Sequence, residues 1–122
     1  MKTKQLLQEL SAWQWELNGF QTAALLIQDR LDVIHKNKAV YLKNSKIGTL
    51  LNLIKEQERE LNEIEKKLIT QKEVLRNRTV NSQWQSILDA DQQSLRNYVS
   101  KEKSMFASIK EDYFKLLKDL HN

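Results

Sequence analysis

Apolar residues recur along this chain in alternating steps of four and three. The first seam is Leu6, Leu10, Trp13, Leu17, Phe20, Ala24, Ile27, Leu31 and Ile34, unbroken over its whole length. That spacing lays one stripe along one side of an α-helix and predicts a helix over residues 3–37. A second seam runs Ile47, Leu50, Ile54, Gln57, Leu61, Ile64, Leu68, Gln71 and Leu75. It predicts a helix over 44–78, with Asn44 or Ser45 as the N-cap. Glu63 and Lys67 are spaced for an i,i+4 pair, and Arg76 and Arg78 suit the negative end of the helix dipole.

Ser82 and Gln85 have the spacing of a capping box and open a third helix over 82–121. Its row reads Trp84, Leu88, Asp91 and Leu95, then Val99, Glu102, Phe106, Ile109, Tyr113, Leu116 and Leu120. Between Leu95 and Val99 a step of four falls where three is due, which predicts a local stutter. Tyr98, Met105 and Leu117 widen the stripe towards a bundle core. Short connections force neighbouring helices to run antiparallel. The expected fold is therefore all-α: an up-down-up antiparallel bundle of three long helices with coiled-coil-like packing, one domain over residues 1–122.

Composition agrees with few turns. The 122 residues include no Pro and only two Gly, whereas sheets and turn-rich folds use both at fixed positions. The absence of Cys excludes disulfides, thiol nucleophiles and thiolate metal sites. Polar residues on the core rows (Gln57, Gln71, Asp91 and Glu102) must be hydrogen-bonded, paired or near the rim. Half-exposure through drift of the rows is the expected outcome. If Glu102 is deeply buried, Arg30 or another basic group should reach it.

The first helix carries a second row. Ala12, Trp15, Gly19, Thr22, Leu26, Asp29 and Val33 follow the same steps on the face opposite Trp13 and Phe20. In a bundle that wraps the first helix completely this row is core. In a simple three-helix bundle it faces water and marks an association surface, with Trp15 as anchor and Gly19, Leu26 and Val33 beside it. The second reading is the expected one, with a homodimer or a partner protein held through the first helix.

Charge changes the picture in one place. The chain carries +4 overall, yet between Val33 and Lys55 there is no acidic residue. Lys36, Lys38, Lys43, Lys46 and Lys55 contribute +5 there, and the remaining 15 basic and 16 acidic residues net to −1. Lys36, Lys38, Lys43 and Lys46 are thus candidates for gripping anions, either nucleic-acid phosphates or an anionic surface. That window has no Arg and one aromatic, Tyr41, so this is the alternative reading. No apolar run approaches a membrane span or a secretory signal, and a cytoplasmic protein is expected.

Catalysis is not expected. The two histidines, His35 and His121, lie near helix ends, and Asp32-x-x-His35 supplies a single copy of a spacing that carboxylate-bridged metal sites need twice. Gly19 and Gly48 are isolated, so no phosphate-cradling loop exists. No metal, cofactor or small-molecule substrate is expected. The segment Trp13-x3-Leu17-x2-Phe20, followed by Arg30-Leu31-x2-Ile34-x2-Asn37, resembles the first helix of a group of short, uncharacterised bacterial helical proteins. That resemblance implies a helical fold and no particular activity. In length and in placing Trp on the first and third helices, the architecture is also similar to a spectrin repeat.

Overall fold

The computed structural model describes residues 3–37, 46–77 and 82–121, apart from the side chains of Ser82 and His121. Three helices account for them: α1 (Thr3–Lys36), α2 (Lys46–Asn77) and α3 (Ser82–His121). They have 34, 32 and 40 residues, so each is about 50–60 Å long. The caps expected at Asn44, Ser45 and Ser82, and Arg78 at the end of the second helix, lie outside the described residues or side chains.

All three helices pack on one another, and paired residues fix their directions. Lys72 on α2 meets Gln14 on α1, Gln57 on α2 meets Glu102 on α3, and Lys46 at the start of α2 meets Asp119 near the end of α3. As numbers rise on one helix they fall on the other, so α2 is antiparallel to both neighbours. Between α1 and α3 the offset is constant. Leu6 meets Gln92, Glu9 meets Arg96, Glu16 meets Lys103 and Phe20 stacks on Phe106, each pair 86 or 87 positions apart. The bundle runs up, down, up.

The first two seams are buried as their spacing requires. Leu6, Leu10, Trp13, Leu17, Ala24, Ile27 and Leu31 line the inside of α1, with Phe20 and Ile34 half-buried beside them. On α2 every seam position from Ile47 to Leu75 is buried, Gln57 and Gln71 included. The third seam differs from its expected course. Asp91 is exposed and Gln92 is buried, and Trp84 is 44% exposed. With Gln92 on the row, Leu88, Gln92, Leu95, Val99, Glu102, Phe106, Ile109 and Tyr113 keep four-three alternation throughout. No stutter exists, and the constant α1–α3 offset follows from that regularity. Tyr98 does not widen the core: it is exposed, with the Lys67 ammonium 4.3 Å from its ring centre. Glu63 accordingly pairs with Arg59 at 3.7 Å rather than with Lys67.

The apolar interior falls into two clusters. One, at the end holding Leu6, gathers Leu10, Trp13, Leu17, Ile64, Leu68 and Leu95. The other, at the opposite end, gathers Ile27, Leu31, Ile54, Ile109, Tyr113 and Leu116. Between them, at mid-bundle, lie Gln57 and Glu102. Each fully buried Leu or Ile contributes about 1.5–3 kcal/mol relative to exposure.

Candidate interaction surface and buried polar layers

The second row of α1 faces outward along its entire length. Ala12, Trp15, Gly19, Thr22, Leu26, Asp29 and Val33 are all exposed, which overturns the reading of this row as core. Trp15 is 82% exposed, Val33 70% and Leu26 55%, and Leu25 beside them is exposed as well. Geometry explains why. With α2 and α3 both packed against the Trp13–Phe20 side, three helices cannot close around the fourth side of α1. The row is open at Gly19, where an added Cβ would meet nothing within 4 Å. The Thr22 hydroxyl donates to the Asn18 carbonyl at 3.0 Å, so that polar group is satisfied within its own helix.

Of the lysine cluster, Lys38 and Lys43 lie outside the described residues. Lys36 is exposed in the last turn of α1. Lys46 opens α2 and sits 3.8 Å from Asp119, both side chains largely exposed. An anion at Lys46 would therefore compete with a carboxylate already there. Asp32 and His35 are exposed on α1, and among the described residues no three acidic, His or Cys side chains gather as a metal site would need. No helix among them is long and apolar enough to cross a membrane.

The core rows' polar residues form two layers of different character. In the first, Gln71 on α2 donates to the Leu88 carbonyl at 3.4 Å and to Gln92 Oε1 at 3.3 Å. Gln92 Nε2 in turn donates to the Leu6 carbonyl and to Glu9 Oε1, both at 3.1 Å. Arg96 closes the chain on Glu9 with two bonds, at 2.6 and 3.3 Å, and its guanidinium lies 5.8 Å from the Trp13 ring centre. All three helices are tied by this one connected network, which fixes their register. Sequence reasoning missed Gln92. The signal that could have found it was the unbroken four-three spacing Leu88, Gln92, Leu95, Val99.

The second layer is less well satisfied. Gln57 and Glu102 are almost wholly buried, contrary to the expected half-exposure. Gln57 Nε2 donates to the Glu102 backbone carbonyl at 3.1 Å. Arg30 is exposed and does not serve Glu102; the neighbours within hydrogen-bonding reach of its carboxyl are another acid, Glu60, and the Gln57 amide. Lys101 reaches only the outer oxygen of Glu60, at 3.2 Å. Gln57 Oε1, Glu60 Oε2 and Glu102 Oε2 are buried with no hydrogen-bond partner. Burial first, then the neighbouring Glu60, push the Glu102 carboxyl up to about 7, while the Gln57 amide and Lys101 pull it back. Glu60 is held below its ordinary value, chiefly by its hydrogen bond with Glu102 and then by Lys101 and Arg59.

Compared with family models, curated proteins and solved structures, the chain matches none.

Proposed function

We propose that this chain is a non-catalytic interaction protein that pairs with a second copy of itself through the outer face of α1. The observation that carries this reading is Trp15. A Trp that is 82% exposed and flanked along the same row by Leu26 and Val33 costs solubility unless something covers it. Nothing inside the bundle needs it there.

The row is complementary to itself when reversed. With a two-fold axis between Gly19 and Thr22, the two α1 helices run antiparallel. Gly19 then meets the partner's Thr22 at the crossing point, where small side chains let the backbones approach. On either side, Trp15 packs against the partner's Leu26, so two large apolar contacts flank a close centre. An isologous interface of this kind closes as a dimer and leaves no open end to polymerise. A buried Trp anchor typically accounts for about 2 kcal/mol or more of such an interface. Trp15→Glu is therefore expected to halve the mass seen by light scattering while leaving helical circular dichroism unchanged. A variant that keeps the wild-type mass would remove Trp15 from the interface.

The alternative, anion or nucleic-acid binding through Lys36, Lys38, Lys43 and Lys46, draws support from the acid-free window between Val33 and Lys55. It requires salt-sensitive retention on heparin that is lost when these four lysines are changed to Gln.

A further inference from the structure

The mid-bundle layer lacks donors, and one proton would satisfy two of its three unmet oxygens. Gln57 Oε1, Glu60 Oε2 and Glu102 Oε2 are three buried oxygens without a donor. Glu102 is 1% exposed and Gln57 fully buried, and the layer sits between the two apolar clusters. We propose that Glu60 and Glu102 share a single proton there, and that its release to solvent as the pH rises through neutrality loosens the contact between α2 and α3, making this layer a pH-sensitive latch. In the latched form the Glu102 hydroxyl donates to the Glu60 carboxylate. That one bond satisfies both inner oxygens and leaves a single negative charge, whose outer oxygen is held by Lys101 at 3.2 Å. In the unlatched form two carboxylates face each other, that of Glu102 in the core and that of Glu60 at its edge, an arrangement relieved only by separation or entry of water.

The surrounding charges favour one proton over none or two. Arg59 on α2 and Lys101 on α3 act on the pair, and Glu56 on α2 acts on Lys101. Lys103, next to Glu102, is engaged by Glu16 of α1 at 3.2 Å. Among the described residues the one cation touching the pair, Lys101, therefore serves Glu60 and leaves Glu102 uncompensated. Its carboxyl accordingly holds its proton to about 7. The direction of the pH effect follows. An unfolded chain releases this proton near the ordinary 4.5, so between those values the folded state binds more protons and stability falls as pH rises. The slope fades as the pH passes about 7, and the curve is flat once the folded state too has released the proton. The lowered value of Glu60 acts below that window and does not oppose it.

The test uses the whole chain. Carbon NMR of the glutamate carboxyls over pH 4–9 (roughly the span bracketing both states) should show one group titrating near 7, absent from Glu102→Gln. If every carboxyl in the native chain titrates in the ordinary range, the latch does not exist, whatever the variant does. Urea unfolding of the wild type should show the folding constant dropping by up to about tenfold per pH unit across the window. Glu102→Gln keeps a donor towards Glu60 and should abolish that slope; equal slopes would overturn the proposal. Magnesium or calcium at alkaline pH should leave stability unchanged. If either ion stabilises the wild type but not the variant, the occupant is a metal rather than a proton, and the latch is refuted.

Discussion

At Gly19 two demands on one residue separate cleanly. The helix gains from a Cβ there, because an α-helical Gly costs about 0.5–1 kcal/mol relative to Ala, and the added atom would meet nothing within 4 Å. Gly19→Ala should therefore raise the urea midpoint of the bundle. Gly19→Arg, pointing a long cation into the proposed crossing point, should weaken self-association without unfolding the chain. Urea titration and sedimentation of both variants check the two effects independently. Gln92 is the opposite case, a residue whose value is wholly internal. It accepts from Gln71 and donates to Leu6 and Glu9, so Gln92→Ala leaves buried partners unmet and should cost about 1–3 kcal/mol of unfolding free energy. Ser100, exposed on the same helix, is the control; its Ala variant should stay within about 0.5 kcal/mol.

The helices themselves were legible because their signal is redundant. Each seam repeats its spacing over four or more heptads, and the chain has no Pro and only two Gly to interrupt it. Helix limits of 3–37, 44–78 and 82–121 accordingly fall within two residues of Thr3–Lys36, Lys46–Asn77 and Ser82–His121. The start of α3 was harder to read, since Trp84, Ile87 and Tyr98 are apolar yet exposed. A row drawn through the large apolar residues slides off the buried face by one position, and Asp91 then displaces Gln92. Which polar side chains lie inside depends on partners from other helices, and one helix's spacing carries no information about those. The carboxyl pair was illegible for the same reason: Glu60 and Glu102 are 42 positions apart and meet only through α2–α3 register. The outer face of α1 was legible, because a second periodic row on a helix already served by one seam has no place in a three-helix core. At this scale Leu68→Ala, which removes a fully buried side chain from the α2 seam, should cost about 2–5 kcal/mol in chemical denaturation.

The whole molecule is a rod with separable duties. Its interior is held by two apolar clusters and pinned in register by the Gln71–Gln92–Glu9–Arg96 network, while one side of α1 is left uncovered. Because the network spends its polar groups inward and the α1 row spends apolar groups outward, changes to one should leave the other intact. The native chain contains no Cys, so a single Cys placed at Thr22 should cross-link two copies under oxidation if the proposed antiparallel crossing forms, and should stay monomeric if it does not. The most direct measurement is the mass of the unmodified protein by sedimentation equilibrium over a range of concentrations. The expected result is a species of twice the 14.5 kDa chain mass, dissociating reversibly on dilution. A mass of one chain at every concentration would contradict self-association through α1.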